Sequence, residues 1–486
     1  MTVNALLVLA AVLLGGVALA APLGAHFANL WSSEETGLTP PPGPFERGLY
    51  RVFHIDPSRP QSAARYAICL IGFNCVGFLI LFILLRLQGV WPLGHDHSAR
   101  IPPAAAFRIA MGSLAQNGVD DALIAYPIGA AASFCRLFVQ IFVGGGASLA
   151  VASALTRAFA APGRPGVGNF WSDLTRNSLY GLLPVSLLVI AVLAIARAAE
   201  AFGAPKLTGL IPVVAVNAVR FACAFAFGRM TRSRSDGRAL VIAMMVMSAL
   251  TTWISEVPRI DVIASGSAGG GSQRLFQILL REAIEAGIGP GFASGLVIAL
   301  LAVCLGGMII GRTPEYLGKR LHARDIKLVT LSSLALWAAI LAFSAVAAIL
   351  PAFWPGGGAL GSGAANENAI YLDITLAIAM ILGRFGVIVP TLASASSLTV
   401  KPRRSATAGT AITGGAQFVG LLAMSSLAFN GPRLTPSTHP DRLETPVRVT
   451  LAPAIAQRES RMWGKRRDLA CVGSARGHQR QAERES

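Results

Sequence analysis

The sequence predicts an all-α membrane protein with about ten transmembrane helices, grouped as four pseudo-repeats of helix, re-entrant loop and helix. Three observations predict this class: the composition, the spacing of the apolar runs and the placement of the basic residues. Of the 486 residues, 53% are hydrophobic and 13% are charged, and the mean hydropathy is +0.59. That balance excludes an ordinary soluble enzyme and fits a chain whose solvent is mostly lipid.

About ten apolar runs approach the roughly 20 residues that a helix needs to cross a bilayer core. The first run contains the small residues of "VALAAP" (Val17–Pro22), which offer a signal-peptidase site. However, Met1–Leu6 carries no Lys or Arg, and a secretory signal begins with basic residues. We therefore favour an uncleaved first helix. In chain order the runs are Val3–Ala20, Tyr66–Leu85, Leu137–Leu155, Tyr180–Ala196, Leu207–Phe227, Leu240–Ile254, Phe292–Ile310, Val329–Leu350, Ile374–Ile388 and Ala411–Phe429.

Lys and Arg collect in every second connection between these runs. With about ten spans, all of these loops fall on one side of the bilayer, and the positive-inside tendency makes that side cytoplasmic and both termini external. The net charge of +17 is then a property of cytoplasmic loops, so we expect no nucleic-acid partner. The basic loops contain Arg51, Arg59 and Arg65; Arg157, Arg164 and Arg176; and the stretches Gly228–Arg238, Gly311–Lys327 and Lys401–Arg404.

The connections on the other side carry fewer charges and more Gly, Ser and Asn. Non-helical backbone is tolerated at membrane depth only where protein buries it or water fills a cavity. Four such loops, each dipping between a pair of helices, would present backbone carbonyls around one axis. Since rings of carbonyls replace the hydration shell of the ion in potassium filters, the pattern favours a channel-like cation site.

Five stretches, in this order along the chain, carry a family resemblance. They are "LRLQGVWPL" (Leu85–Leu93), "GNFWSDLTRNSLYGLLPVSL" (Gly168–Leu187), "CAFAFGRM" (Cys223–Met230), "IGRTPEYLGKRLHARDIKL" (Ile310–Leu328) and "GRFGVIVP" (Gly383–Pro390). The set resembles the potassium-binding subunit of the Kdp-type potassium-transporting ATPases. The resemblance runs from about Phe45 to Phe429, and "GRTPEYLGK" is its most specific part.

The resemblance implies the architecture of a potassium channel: a four-fold repeat of helix, re-entrant loop and helix, with one extra helix at each end. It also implies a potassium ion as cargo, ATP used only through a partner P-type ATPase subunit, and two small membrane subunits in the same complex. The expected location is the plasma (inner) membrane of a bacterium. The chain carries no P-loop lysine motif and no aspartyl-phosphate signature, so we expect no catalytic site of its own.

The first and fourth filter loops of that family are partly preserved here. The first corresponds to "AQNGVDD" (Ala115–Asp121), in which Asp120 stands at a Gln position. The fourth corresponds to "GAANEN" (Gly363–Asn368), in which Glu367 replaces an Asn. The resemblance implies that potassium is bound through backbone carbonyls and amide oxygens of Gln116, Asn117, Gly118, Gly363, Ala364, Ala365, Asn366 and Asn368.

The second and third filter loops are expected to be missing. Only "RAAEAFGAPK" separates Ala196 from Leu207, whereas a pore helix and a returning filter need roughly twenty residues at the helical rise of 1.5 Å per residue. The third loop is expected to be replaced by a join at "SAGGGS" (Ser267–Ser272). An intact four-sided filter is therefore not expected to form as it does in the family.

Several charged residues are candidates for contacts with the ion pathway or with a partner: Asp120, Arg220, Glu367, Arg312, Glu315, Lys319 and Arg384. Arg220 lies within an apolar run, where a charge is costly and usually functional, although it could also snorkel to an interface. Glu315 and Lys319 have the spacing of a helical i,i+4 pair, or else contact the ATPase subunit. The glycines of Gly144–Gly146 predict close helix packing.

We divide the chain into a first helix with its outer loop (1–45), a channel-like membrane domain with the last helix (46–430), and a basic tail expected to be disordered (431–486). Three functions stay open. The leading one is a potassium-binding and translocating subunit of an ATP-driven, high-affinity importer. The alternatives are a non-conducting scaffold or degenerate paralogue of that subunit, and a gradient-driven cation transporter that uses carboxylates such as Asp120.

Overall fold

The structure of the protein is a computed structural model. It describes residues 3–32, 43–57, 59–88, 101–115, 128–160, 166–202, 208–246, 248–249, 288–311, 314–332, 334, 338, 342, 367–402 and 416–430. The tail after Asn430 and the predicted join at Ser267–Ser272 lie outside these residues.

The described part of the chain is almost entirely helical, which confirms the predicted all-α class. Its sheet consists of β1 (Glu315–Tyr316) and β2 (Lys319–Arg320). The helices are α1 (Val3–Ser32), α2 (Pro44–Val52), α3 (Ala63–Leu87), α4 (Pro103–Ala115), α5 (Ala130–Ala160), α6 (Phe170–Ala201), α7 (Leu210–Met230), α8 (residues 234–246), α9 (Ile288–Ile310), α10 (residues 323–332), α11 (Glu367–Thr399) and α12 (Ala416–Asn430).

Seven helices of the described part are long and apolar enough to cross a bilayer: α1, α3, α5, α6, α7, α9 and α11. Each coincides with one of the predicted runs. The other three runs overlap α8, α10 and α12, whose neighbouring residues are only partly described. Apolar residues on the outer faces of α3, α6 and α1, such as Ile68, Leu188 and Leu14, are more than 60% exposed, as expected of a surface that faces lipid.

The basic loops meet at one end of the helical bundle, as their spacing predicts. We call this the basic end. The backbone N–H of Gln61 donates to Gly168 O (2.8 Å), which joins the loop before α3 to the loop before α6. Lys401, after α11, donates to Arg320 O in the hairpin (3.0 Å). The ring of Phe227 near the end of α7 stacks on Tyr316 of the hairpin at 6.5 Å. The side of the membrane that the basic end faces stays a prediction.

The stretch between Glu315 and Arg320 is an antiparallel hairpin and not a helical turn. Leu317 and Gly318 form its two-residue turn with φ of 51° and 75°, the combination that a type I′ hairpin turn requires. Glu315 is therefore opposite Arg320, and the two side chains form an ion pair of 3.3 Å. The predicted i,i+4 pair of Glu315 with Lys319 is wrong, because their spacing belongs to a hairpin in which they are not opposite each other.

The glycines of the α5 segment allow α5 and α6 to approach closely, which confirms the packing predicted for Gly144–Gly146. All three glycines are buried. A Cβ on Gly146 would lie 2.7 Å from Ser178 Oγ and 3.1 Å from Leu174 Cδ1 of α6. Both helices widen into a π-helical segment at this level, Val139–Gly145 in α5 and Asn177–Leu182 in α6.

The first helix packs along α7 for most of its length. A Cβ on Gly24 would lie 2.6 Å from Phe225 Cβ and 2.9 Å from Ala222 O. A Cβ on Gly16 would lie 3.2 Å from Asn217 Cβ. The helix continues without a break through the small-residue stretch that resembles a cleavage site, with Pro22 inside it. Retention of this helix in the mature protein stays a prediction.

Candidate functional site

The helices α3, α4 and α5 lie in the segment that is predicted to form the first repeat. Helix α4 has 13 residues, which at 1.5 Å per residue extend about 20 Å, too short to cross a bilayer of ~30 Å. It packs against α3, against the π segment of α5 and against α11. Ten of its residues are buried, including Ile109, Met111 and Leu114. A short helix enclosed by longer ones has the length and the burial that are expected of a pore helix, while the re-entrant loop itself stays a prediction.

The candidate potassium-binding residues of the first filter follow α4 directly. Helix α4 ends at Ala115, and Gln116, Asn117, Gly118 and Asp120 lie outside the described residues. The carbonyl end of a helix carries about half a negative elementary charge, because its last four carbonyls have no partner in the helix. The negative end of the helix is therefore next in sequence to the stretch expected to hold a cation.

The fourth filter stretch leads in the same way into α11. Gly363, Ala364, Ala365 and Asn366 lie outside the described residues. Glu367 and Asn368 form the first positions of α11, and their side chains are not described. The ligand assignment in this stretch therefore stays a prediction.

Helices α4 and α11 are neighbours, so the start of the first filter stretch and the end of the fourth adjoin neighbouring elements. A buried ion pair connects these two helices: Arg108 Nε of α4 lies 2.5 Å from Asp373 Oδ1 of α11. The exposed fractions of the two side chains are 5% and 13%. Around the pair, apolar residues of α3, α4, α5 and α11 form one cluster of buried side chains, which includes Leu81, Ile109, Val143 and Ala377.

Arg384 of the "GRFG" motif is buried at the π segment of α5. Its Nη2 donates to Gly144 O at 2.9 Å and to Asn74 Oδ1 of α3 at 3.3 Å. The wider π turn leaves Gly144 O able to accept from both Arg384 and the Ser148 hydroxyl. Nε and Nη1 of Arg384 have no hydrogen-bond partner among the described residues. The side chain, 2% exposed, thus lies inside the bundle between α3 and α5 and is not on a partner-facing surface.

The remaining candidates are distributed over two other places. Arg220 lies midway along α7, about 15 Å from either helix end at 1.5 Å per residue, and its side chain is half-buried. Glu315 and Lys319 belong to the hairpin at the basic end, where both are buried. Arg312 lies outside the described residues. Arg220, Glu315 and Lys319 are not brought together with Arg384 into one site.

Sequence reasoning missed Arg108, Asp373 and Asn74, which the structure places in the interior of the first and fourth repeats. The signal for the first two was a lone Arg in "PAAAFRIAMGSLA" and a lone Asp in "IYLDITLAIAMILG". Isolated charges of opposite sign in two apolar segments are costly in a membrane unless they pair, so each could have been assigned the other as a partner.

Comparison with known proteins agrees with the motifs. A family model described as the potassium-transporting ATPase A subunit matches residues 9–206, 260–356 and 356–431. A protein named potassium-transporting ATPase potassium-binding subunit from Beijerinckia indica is 32% identical over 534 aligned positions, covering 87% of this chain and 94% of that protein. Proteins of the same name from Caulobacter vibrioides and Mesorhizobium japonicum are 32% and 31% identical, covering 87% and 82% of this chain.

The alignment with the Beijerinckia protein contains segments that this chain lacks. It has 534 positions, whereas the whole chain has 486 residues, so part of the relative has no counterpart here. The first matched segment of the family model ends at residue 206, next to the place where the second filter is predicted to be deleted. No comparable break falls at Ser267–Ser272, which lies within the segment 260–356.

Proposed function

Because the chain belongs to the potassium-transporting ATPase A subunit family, we propose that it binds potassium and passes it across the membrane as the channel-like component of an ATP-driven importer. Three relatives named potassium-binding subunits cover more than four fifths of the chain, which supports the choice of cargo. The cation enters dehydrated in this proposal, with protein oxygens in place of its water.

The observation that carries the proposal is the placement of α4. This short helix is buried among α3, α5 and α11, and its negative carbonyl end is next in sequence to the polar stretch. A monovalent cation is stabilised there without a carboxylate, which keeps binding weak enough for release. The proposed ligands are the carbonyl and amide oxygens of Gln116, Asn117, Gly118, Gly363, Ala364, Ala365, Asn366 and Asn368.

We assign Arg384 to the wall of the pathway. Its guanidinium is inside the bundle, between the helices that flank the first filter stretch, and part of its donor capacity is not used by the described residues. A fixed positive charge at such a place raises the barrier for a cation that passes it. We assign Arg220 a role inside the protein and not at an interface. It lies ten residues from either end of α7, a distance that an arginine side chain is too short to span by snorkelling.

The partners belong to the same proposal. An ATP-hydrolysing P-type subunit supplies the driving force, and small membrane subunits complete the assembly in the plasma membrane of a bacterium. The exposed basic residues at the basic end, such as Arg232, Arg234 and Arg324, are available to a cytoplasmic partner. Both chain termini then lie on the outer side, as the positive-inside tendency requires for about ten spans.

A second candidate function is a non-conducting scaffold that keeps the fold. The alignment longer than the chain favours it, because a channel that lacks filter segments loses ligands for the dehydrated ion. Such a chain would still insert and assemble, since the residues that pack the described helices against each other are present.

Uptake of labelled potassium separates these functions in cells that lack other importers and that express the chain with its presumed partner subunits. Uptake that requires an active partner ATPase supports the proposal. Absence of uptake, with the chain correctly inserted, overturns it in favour of the scaffold. Uptake driven by a proton or sodium gradient without the ATPase also overturns it, in favour of a gradient-driven transporter.

A further inference from the structure

We propose that the ion pair of Arg108 with Asp373 positions the first filter stretch against the fourth. This inference rests on the proposed function, and it names two positioning residues that are not themselves ligands of the ion. The pair is a direct charge-to-charge link between α4, which ends at the first stretch, and α11, which begins at the fourth.

The geometry of the two helices makes this link effective. Arg108 lies two turns before the end of α4, and Asp373 lies near the start of α11, so each residue is close in sequence to the filter stretch of its own helix. A separation of 2.5 Å between Nε and Oδ1 leaves no room for an intervening water. Movement of α4 along or away from α11 would separate the two charges inside a medium that solvates neither of them.

The character of the contacts around the pair explains why a specific link is needed here. On α4, the residues spaced three, four or seven positions from Arg108 share its face, and most of them are small, namely Ala105, Gly112 and Ala115; α11 contributes Ala377. Small apolar side chains permit close approach but interlock weakly, so a helix can slide along such a surface at little cost. The close ion pair of Arg108 with Asp373 favours the one register in which the two charges meet, which these small side chains leave open.

A second buried Arg–Asp pair provides a matched control. Arg157 Nη2 of α5 lies 2.5 Å from Asp173 Oδ2 of α6, and the two side chains are 14% and 6% exposed. It also joins two long helices, but it does so at the basic end, where the Tyr66 hydroxyl donates to the same carboxylate oxygen at 3.0 Å. Loss of either pair leaves an uncompensated buried guanidinium, so both losses are expected to lower thermal stability. Of the two, only the first pair joins the helix that ends at one filter stretch to the helix that begins at another.

The test compares Asp373→Asn with Asp173→Asn in the complex with its partner subunits. Amide hydrogen exchange is measured across α4 and the residues that follow it, and potassium uptake is measured as KM and kcat. Asp373→Asn is expected to speed exchange in α4 and to raise the KM for potassium by about tenfold, since small misplacements of binding groups are costly. Asp173→Asn is expected to leave both quantities near their wild-type values. Asp373→Glu, which keeps the charge, is expected to recover most of the protection of α4.

Unchanged exchange in α4 of Asp373→Asn would overturn the proposal. It is also overturned by faster exchange that comes with an unchanged KM, or by an equal effect of Asp173→Asn on KM. If the wild-type complex transports no potassium, the proposed function fails by itself, and the exchange measurement still decides whether Arg108 and Asp373 couple α4 to α11. Should Asp373→Asn fail to assemble, Arg108→Lys keeps a positive charge without the planar fork and is expected to show the same two changes in smaller degree.

Discussion

At the residue scale, Lys319 joins the ends of two long helices. Its Nζ donates to Ala158 O near the end of α5 at 2.6 Å and to Leu398 O near the end of α11 at 2.7 Å, and the side chain is fully buried. Carbonyls in the last turn of a helix have no partner within it, and that end of the helix is negative. One ammonium group therefore satisfies acceptors on two helices and compensates both dipoles.

Replacement of Lys319 by Met is expected to destabilise the protein by about 3 kcal/mol, because buried carbonyls lose a charged donor. The effect should appear as a lower unfolding temperature of the detergent-purified protein. Arg324→Met serves as the control, since it also removes a positive charge at the basic end but its side chain is exposed, where such a charge contributes about 1 kcal/mol or less. An equal loss in both variants would contradict the role assigned to the buried ammonium.

Asp325 makes stability at the basic end depend on pH. Burial alone would raise the pKa of Asp325, but hydrogen bonds from Lys401, from Ser397 and from the backbone N–H of His322 outweigh it and hold the pKa below 3.8. A carboxyl whose pKa is lower in the folded state adds stability that is fully present above its unfolded pKa. This stability is lost as the pH falls through the folded pKa.

The unfolding temperatures of the wild type and of Asp325→Asn are therefore expected to differ most near neutral pH. The difference should shrink as the pH falls below about 4, where the wild-type carboxyl becomes protonated. Thermal unfolding followed at several pH values in the same detergent measures it. A difference that does not change with pH would show that the substitution acts through packing and not through the ion pair with Lys401.

At the element scale, α5 and α6 approach each other so closely at their π segments that only glycine fits at position 146 of α5. The added Cβ of an alanine at Gly146 would meet Ser178 Oγ and Leu174 Cδ1 at distances shorter than or near the limit of van der Waals contact. The same π segment in α5 exposes the carbonyl that accepts from Arg384. Local widening of one helix thus sets both the spacing of a helix pair and the position of a buried arginine.

Gly146→Ala is expected to destabilise the protein by about 1–3 kcal/mol, the usual cost of overpacking a filled interior. Gly72→Ala in α3 is the matched control, since a Cβ there has nothing within 4 Å. Alanine also costs less backbone entropy than glycine in a helix, so the control is expected to be neutral or slightly stabilising. Unfolding temperatures of the two variants decide the matter, and a stabilised Gly146→Ala would show that α6 can move away without cost.

At the scale of the whole molecule, the long helices could be predicted from the sequence and the elements between them could not. Each long helix corresponds to a continuous apolar run, and such a run is stable only in lipid or in the protein interior, where it must be helical. The bounds of α4 could not be predicted, because 13 residues fall short of a span and because its burial depends on neighbours far away in the chain. The hairpin was missed because a spacing of four residues suits a helix and a tight turn alike. The lone charges of Arg108 and Asp373 indicate that each needs a partner, but their proximity depends on how the first and fourth repeats pack.

The number of filter loops in the whole molecule determines how well the protein discriminates between cations. Selectivity in a carbonyl-lined site depends on the number of oxygen ligands that replace the hydration shell and on how closely their positions are held. This chain is shorter than its alignment with the Beijerinckia indica protein, and two of its four filter loops are predicted to be missing. If the protein supplies fewer oxygen ligands, water molecules complete the coordination of the ion. Water ligands discriminate less between sodium and potassium than fixed protein oxygens do.

We therefore expect this chain to prefer potassium over sodium less strongly than the Beijerinckia indica relative does. The selectivity ratio is expected to fall by about tenfold or more, since a tenfold change corresponds to a loss of only 1.4 kcal/mol in the difference between the two binding free energies. Both proteins would be expressed with the same partner subunits, and uptake of labelled potassium would be measured against rising concentrations of unlabelled sodium and rubidium. Equal discrimination by the two proteins would mean that other segments of this chain supply the missing oxygens. The ion would then be held by a site that differs from the four-loop filter in the origin of its ligands but not in their number.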